Sequence, residues 1–262
     1  MKQFIFLSYL FFHFNVGFSQ VLFGGIEGLK DTSNYPGLRR DIDLQNFSIK
    51  MDSTYVPAYF KRAASEYQLG NYETCIGLQN EILQRFPDYA ADAYTNRGMS
   101  YCFLKKYKLA LNDLNTAKRL TPDNAMSYLN LAFAKSAIQE YKSAILDLDT
   151  AIMLRPSYAK AFANRAFAKA HLEKYAEGIE DYNKALEIQP DYPEVYFNRG
   201  YAKLKLNRYD EAIADFNKAI EIYPLFSSSY EFYLNRSLAY EKKGDQVHSR
   251  LDHEMAEKLK RD

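Results

Sequence analysis

The chain has 262 residues, of which 34 are Lys or Arg and 33 are Asp or Glu, so its formal net charge is only +1. This even balance argues against the strongly basic surfaces that bind nucleic acids or anionic membranes. Hydrophobic residues make up 47% and charged residues 26% of the chain, an ordinary globular composition in which 23 Tyr and 18 Phe supply the aromatic packing.

The first 19 residues have the pattern of a secretory signal peptide. Lys2 precedes an apolar run over residues 4–12, and the small residues Gly17 and Ser19 follow. The run is shorter than the ~20 residues that a membrane-spanning helix needs, which disfavours the alternative of a membrane anchor. We therefore expect cleavage after Ser19 and an exported protein, periplasmic or extracellular in a bacterium, with no membrane insertion after cleavage.

Two short segments follow before any regular pattern begins. Residues 20–37 contain three glycines and no helical period, so we expect an irregular mature N-terminus or a strap over the first repeat. Residues 38–55 resemble a single helix of a helix pair. They predict an N-terminal half-repeat or a capping helix.

Prolines mark a regular period through the rest of the chain. Pro87, Pro122, Pro156, Pro190 and Pro224 are 35, 34, 34 and 34 residues apart, and each ends an apolar helical run. A fixed period of this length predicts stacked repeats, each a first helix, a short turn and a second helix. The predicted array spans residues 56–262, with repeats at 56–90, 91–124, 125–158, 159–192, 193–226 and 230–262. The charged last repeat would act as a cap.

Small residues recur at fixed places in both helices of the predicted pairs. Each first helix opens on an aromatic residue and has a small residue four positions later: Tyr59/Ala63, Tyr94/Gly98, Tyr128/Ala132, Phe162/Ala166, Tyr196/Gly200 and Tyr233/Ser237. The second helices carry their own small residues: Cys75, Ala110, Ala144, Gly178 and Ala212. Large and small side chains therefore alternate as closely packed helix pairs require.

These columns resemble the tetratricopeptide repeat (TPR) family. Its pattern of an opening aromatic, a Gly, a later Ala and Phe, and a closing Pro is matched in one repeat by Tyr196, Gly200, Ala212, Phe216 and Pro224. The chain departs from the pattern in using Tyr for Trp and Arg for Leu. The resemblance implies an all-α solenoid of antiparallel helix pairs that forms a right-handed superhelix, with the first helices lining its concave groove.

An Asn lies two positions after the opening aromatic in five of the six first helices. The column consists of Asn96, Asn130, Asn164, Asn198 and Asn235. Asn has a low helix propensity in the middle of a helix, so its recurrence at this position needs an explanation. The resemblance implies that the column faces the groove, like the asparagine ladder of some TPR scaffolds, where amides bond a peptide backbone. Capping of neighbouring helices or plain solvation remains the alternative.

Apolar residues beside the Asn column are predicted to add contact surface for a partner. These residues are Phe60, Leu129, Phe133, Phe167, Phe197 and Tyr201. Hydrogen bonds to the column alone are too weak for stable association, so an adjoining apolar surface is needed. The alternative is that these side chains only pack between repeats.

An Arg follows the Asn in most first helices, and the middle second helices carry an Asp one turn after their start. The Arg residues are Arg62, Arg97, Arg165, Arg199 and Arg236, with Leu131 in the remaining repeat, and the Asp residues are Asp113, Asp147, Asp181 and Asp215. Equal periods favour structural Arg–Asp pairs between helices over ligand contacts. Spacing does not tell whether a pair lies within one repeat or between two.

The sequence contains no pattern that predicts catalysis, a metal site or a cofactor. His248 and His253 are five residues apart and do not share a helix face. Cys75 and Cys102 lack metal-ligand spacing and are interpreted as two buried thiols or, alternatively, as a disulfide.

We interpret the protein as a non-catalytic scaffold or adaptor that binds a peptide segment of an unidentified protein in the groove. A structural role with self-association as a homo-oligomer, or binding of cell-wall glycan, is the alternative.

Overall fold

The structure, a computed structural model, describes residues 36–222 and 230–260. The predicted signal peptide lies outside these residues, as does nearly all of the predicted irregular N-terminus. The described residues form thirteen α-helices and one short 3-10 turn, without a strand, so the predicted all-α fold is confirmed. The chain divides into two compact units, of which the first ends at Glu140 and the second begins at Tyr141.

The first unit contains six helices joined by short connections. They are α1 (Pro36–Met51), α2 (Val56–Gln68), α3 (Tyr72–Arg85), α4 (Ala90–Phe103), α5 (Tyr107–Leu120) and α6 (Ala125–Ala137). Each helix packs against the next one along the chain, and α4 also contacts α6. Connections of a few residues between neighbours in contact make these pairs antiparallel.

The second unit contains seven helices arranged by the same rule. They are α7 (Tyr141–Leu154), α8 (Ala159–His171), α9 (Tyr175–Ile188), α10 (Pro193–Lys205), α11 (Tyr209–Ile222), α12 (Tyr230–Lys243) and α13 (Gln246–Leu259). Consecutive helices are in contact, and α10 also touches both α8 and α12. Within each unit, the even-numbered helices are the first helices of a repeat, and the odd-numbered helices from α3 onwards are second helices.

Every first helix ends on the same hydrogen-bonded turn. In α4 the N–H of Lys105 donates to the carbonyl of Cys102 at 2.9 Å, and the N–H of Lys106 donates to that of Tyr101 at 2.8 Å. This Schellman arrangement, over residues 101–106, needs a left-handed residue at its next-to-last position, where Lys105 has a φ of 58°. Gly70 and Gly244 supply that conformation without strain, whereas the four middle repeats use a residue with a side chain there.

The small-residue columns bring the two helices of a pair into close contact. A Cβ added to Gly98 would lie 2.8 Å from a side-chain carbon of Leu114, and one added to Gly200 would lie 2.9 Å from a ring carbon of Phe216. Ser237 uses the same closeness to donate a hydrogen bond from its hydroxyl to the carbonyl of Ser249 at 2.7 Å. The alternation predicted from the sequence therefore sets the spacing within these helix pairs.

In four of the six first helices, an Arg joins the helix to its own second helix through a two-bond ion pair. In α10, Nε of Arg199 donates to Oδ2 of Asp215 at 2.9 Å and Nη2 donates to Oδ1 at 2.6 Å. The same geometry occurs in three other repeats: Arg97–Asp113, Arg165–Asp181 and Arg236–Asp252. The prediction of structural Arg–Asp pairs is confirmed for these residues, and each pair lies within one repeat.

The third nitrogen of each of these guanidinium groups reaches the preceding second helix. Nη1 of Arg199 donates to Oδ1 of Asn183 on α9 at 2.7 Å. The corresponding acceptors are Asn80 for Arg97, Asp149 for Arg165 and Asn217 for Arg236. The guanidinium group is planar and carries several N–H donors, so it can bond to both second helices at once. Each such Arg therefore fixes its first helix against second helices on both sides.

The two cysteines are buried free thiols in the first unit, as one of the two sequence interpretations holds. The Cys75 thiol donates to the carbonyl of Ala63 at 3.2 Å, which places it in the contact between α2 and α3. Burial raises the pKa of the Cys102 thiol to about 12. Both residues therefore act as small packing groups rather than as nucleophiles.

Candidate functional site

The Asn column of the second unit lies on the first helices α8, α10 and α12. Asn164 and Asn198 are buried and Asn235 is half-buried. Nδ2 of Asn164 donates to the carbonyl of Lys160 at 2.8 Å, and Nδ2 of Asn235 donates to that of Glu231 at the same distance. Each bond reaches back one helical turn and holds the amide plane in one orientation. The second N–H and the carbonyl oxygen of each amide stay oriented for other partners.

Asn198 differs from its neighbours on either side. Its Nδ2 is buried and has no hydrogen-bond partner in the structure. A buried donor without a partner lowers stability, so this amide is the member of the column with the most to gain from a ligand.

The other two predicted Asn residues belong to the first unit. Asn96 lies in α4 and Asn130 in α6, and both side chains are buried. The sequence predicted the recurrence of the column but not its burial. With so little of each amide exposed, a partner would have to lie directly against the helices to reach it.

A second polar row, absent from the sequence predictions, lies one turn before the Asn column. Its members are Asp92, Lys160, Glu194 and Glu231, with Met126 in the remaining repeat. Lys160 and Glu194 are both buried. Burial lowers the pKa of Lys160 and raises the pKa of Glu194 to about 7, and each charge partly offsets this shift in the other group. The sequence signal for this row is its spacing: each member lies four residues before an Asn of the column, and residues four apart share a helix face.

Two tyrosines complete this polar cluster at the N-terminal ends of α8 and α10. The hydroxyls of Tyr158 and Tyr192 and the ammonium of Lys160 are buried without a hydrogen-bond partner. Burial raises the pKa of Tyr158 to about 12, and the pKa of Tyr192 is also raised, first by burial and then by Glu194. These three donors are removed from water and have no hydrogen-bond partner. A ligand with acceptor atoms would therefore gain the most binding free energy at this end of the helices.

The predicted apolar contacts divide into core and surface residues. Leu129 and Phe197 are each only 1% exposed, and Phe167 is also buried. The ring of Phe197 lies 4.6 Å from that of Phe232 and 5.6 Å from that of Phe216, so it fills the space between three helices. Leu129 and Phe197 are therefore core residues in this structure, with almost none of their surface open to a partner.

Phe60, Phe133 and Tyr201 are half-buried and keep accessible surface. Phe133 stacks on Phe103 at 6.3 Å between ring centroids, and Phe60 lies 6.0 Å from Tyr89. Part of the surface of each ring is therefore accessible. These three residues are the predicted apolar contacts that the structure leaves open to a partner.

No group of three His, Cys, Asp or Glu side chains in residues 36–222 and 230–260 is placed to hold a metal ion. Among the helices described above, none combines the length and apolar character needed to cross a bilayer.

Known repeat families match three segments of the chain. Two tetratricopeptide-repeat models match residues 193–225, which hold α10 and α11, and residues 91–124, which hold α4 and α5. A further TPR-repeat model matches residues 169–207. No curated protein matches the chain.

Two solved TPR proteins and the MamA protein share the fold. A tetratricopeptide repeat protein from Parabacteroides merdae ATCC 43184 has a TM-score of 0.65 and 17% identity over 90% of this chain and 91% of that one. A thermophilic TPR protein of Thermus thermophilus has a TM-score of 0.61 and 22% identity over 71% and 99%. The MamA protein has a TM-score of 0.57 and 20% identity over 66% and 92%. Repeat matches, helix-pair packing and shared fold together make this chain a tetratricopeptide-repeat protein.

Proposed function

We propose that the chain is a non-catalytic scaffold that binds an extended segment of a partner protein along the first helices of its second unit. The TPR fold supports a protein–protein interaction scaffold in general. The binding surface is formed by the amides of Asn164, Asn198 and Asn235 and by the exposed edge of Tyr201.

The observation that carries the proposal is the fixed orientation of the amides. Asn164 and Asn235 each use one Nδ2 hydrogen on their own helix, and Asn198 has an unused buried donor. An oriented amide can accept from a backbone N–H and donate to a backbone C=O, so it recognises a peptide without reading its sequence. Repetition on successive helices suits the repeating backbone of an extended segment.

The strength of such a contact limits what the column can do alone. A net hydrogen bond contributes about 0.5–1.5 kcal/mol, so three amides provide roughly 3 kcal/mol. Association loses several kcal/mol of translational and rotational freedom before any gain appears. The remaining affinity has to come from apolar burial on Tyr201 and from the donors of Tyr158 and Lys160. The proposed ligand is therefore an extended segment with apolar side chains and hydrogen-bond acceptors.

The partner can be identified by photo-crosslinking in the native host. A photoreactive phenylalanine replaces Tyr201, which lies three residues after Asn198, and a matched control carries it at Glu180 on the exposed side of α9. A defined protein captured at position 201 and not at 180 supports the proposal. Capture only at position 180 would contradict it.

The amides are then tested with the captured partner. The triple variant Asn164→Ala, Asn198→Ala, Asn235→Ala should weaken binding about 100-fold, since roughly 3 kcal/mol corresponds to two powers of ten. Asn112→Ala, at an exposed position of α5, is the matched control and should bind as the wild type does. Wild-type affinity of the triple variant would refute the role of the column. Retention of the wild type on purified cell-wall material, and its loss in the triple variant, would show a glycan ligand instead.

We also propose that the protein acts in the cell envelope of a bacterium. The support is the basic start, apolar run and small residues of the first 19 residues. Mass spectrometry of the protein purified from its host should find a mature N-terminus at Gln20. A cytoplasmic protein that retains Met1 would contradict the proposal.

A further inference from the structure

The last helix, α13, carries an apolar stripe that the protein leaves uncovered. Val247, Leu251 and Met255 are one turn apart on one face of the helix and are 68%, 58% and 41% exposed. Soluble proteins rarely leave three large apolar side chains exposed in line on a helix unless another surface covers them.

The repeat register shows that this stripe is not needed for the helix pair. Asp252 on α13 pairs with Arg236 as Asp215 on α11 pairs with Arg199, so the two helices align with an offset of 37 residues. The places of the stripe are occupied on α11 by Asp210, Ala214 and Lys218 and on α9 by Ala176, Glu180 and Lys184. The outer face of α13 is therefore apolar where the corresponding faces of α9 and α11 are mostly charged.

The same register shows that the usual packing face of α13 has become polar. On α11 the residues Ile213 and Phe216 are buried against neighbouring helices. Their places on α13 are taken by Arg250 and His253. Polar residues there match the polar outer face of a capping repeat. A capping function thus explains the polar face of α13 and leaves the apolar stripe unexplained.

We propose that the α13 stripe packs against the same stripe of a second copy of this chain, with the two helices antiparallel. The stripe is symmetric about Leu251, so an antiparallel pair places Leu251 on Leu251 and Val247 on Met255 of the second copy. Such a twofold contact is self-complementary, because one surface serves as both partners.

Charges beside the stripe favour the antiparallel arrangement. Arg250 and Glu254 are exposed and lie on the same flank of the stripe, one turn apart. Antiparallel pairing brings equal flanks together with reversed direction, so Arg250 of each copy faces Glu254 of the other. Parallel pairing would instead bring this flank against the one that carries His248. The stripe is small compared with the roughly 800 Å² per partner of a standard interface, so the dimer is weak and depends on concentration.

Sedimentation velocity of the full chain, from low micromolar to about 500 µM, tests the pairing. The wild type should move from monomer to dimer over this range. Leu251→Glu should weaken dimerisation at least ~10-fold, because it places two carboxylates on the twofold axis. Ala214→Glu, at the equivalent exposed place on α11, is the matched control and should dimerise as the wild type does. A wild type that stays monomeric, or a Leu251→Glu variant that dimerises normally, would overturn the proposal.

A charge exchange tests the direction of the helices. Arg250→Glu or Glu254→Arg alone should weaken the dimer about 3–10-fold, since each creates like-charge contacts at both ends of the pair. The double variant Arg250→Glu, Glu254→Arg should restore wild-type dimerisation. Failure of the double variant to recover would refute the antiparallel arrangement. Circular dichroism of each variant checks that the exposed substitutions leave the helices folded. The pairing does not involve the Asn column, so its outcome is independent of the proposed peptide binding.

Discussion

Replacing Asp215 by Ala should destabilise the protein strongly, because this carboxylate is the acceptor for two cations, the buried Lys203 and the half-buried Arg199. It receives two hydrogen bonds from Arg199, at 2.9 and 2.6 Å, and one from Nζ of Lys203 at 2.7 Å. The side chains of all three residues are largely withdrawn from solvent. Without Asp215, Arg199 keeps only Asn183 and Lys203 keeps only a long contact of 3.8 Å to Glu211, so two like charges would be poorly compensated in a poorly solvated place.

The magnitude follows from the state that the substitution leaves behind. Removing one partner of a buried ion pair typically costs 3–5 kcal/mol, and we expect about 4 kcal/mol for Asp215→Ala. Asp113→Ala should cost about 3 kcal/mol, because Asp113 pairs with Arg97 and the place of Lys203 is held by Tyr101 there. The assay is thermal and urea unfolding followed by circular dichroism. For a chain of this size the Asp215→Ala variant should melt about 10 °C lower.

A second substitution separates the proposed cause from simple loss of packing. Lys203→Met should destabilise the wild type, because it removes a bond to Asp215, but it should stabilise the Asp215→Ala variant by about 1 kcal/mol, because it removes a stranded cation. If Lys203→Met lowers the stability of both backgrounds equally, the argument from stranded charge is refuted. A loss below about 1 kcal/mol for Asp215→Ala would refute it as well.

Three further predictions use the same unfolding assay. Gly200→Ala should lower the free energy of unfolding by about 1 kcal/mol, because its Cβ would lie 2.9 Å from a ring carbon of the facing helix, whereas Gly77→Ala, with nothing within 4 Å, should raise it by about 1 kcal/mol. Glu173→Gly should raise it by about 1 kcal/mol, since Glu173 has a left-handed φ of 61°; Asn207→Gly should raise it less, because Asn tolerates this conformation. Burial raises the pKa of Glu194 from 4.5 to about 7, so the folded protein holds a proton that the unfolded chain has released. The wild type should therefore lose about 1 kcal/mol of stability per pH unit as the pH rises through this window, and Glu194→Gln should not.

Specific results would contradict these expectations. Equal effects of Ala at the two glycines would mean that the close helix contact is not limiting. A loss of stability on Glu173→Gly would mean that its side chain contributes more than its backbone strain. A Glu194→Gln variant whose stability changes with pH in parallel with the wild type would assign the pH dependence to other groups.

The parts of the fold that sequence predicted are those that repeat. The proline period and the small-residue columns predicted the helix pairs, because every repeat must meet the same spacing. The Arg–Asp pairs followed from equal periods in two helices. The contact of each Arg with the preceding second helix did not follow, because its acceptor is Asn in three repeats and Asp149 in another. Because the acceptor varies between Asn and Asp, no single residue type recurs at its position, and the sequence gives no pattern that predicts the contact.

The sequence predicted which helices carry the candidate residues, but not how exposed each residue is. Phe197 and Tyr201 are four residues apart and were predicted to share one role, yet Phe197 is core and Tyr201 reaches the surface. A helical wheel gives the angle of a side chain on its own helix, but not where the next helix covers it. The polar row of Lys160 and Glu194 was missed for the opposite reason. Its members differ in charge from repeat to repeat, so they do not form a column of one residue type.

The recurring Asn-Arg pair has a physical explanation in these contacts. Adjacent helical residues point about 100° apart, so Arg199 can face the second helices while Asn198 faces away from them. Arg199 bonds Asp215 on α11 and Asn183 on α9, and these contacts on two sides prevent α10 from rotating about its axis. The face of α10 that carries Asn198 is then held in place before any ligand arrives, which reduces the entropy lost on binding. Arg199→Leu should therefore weaken partner binding even though Arg199 is turned away from the proposed ligand.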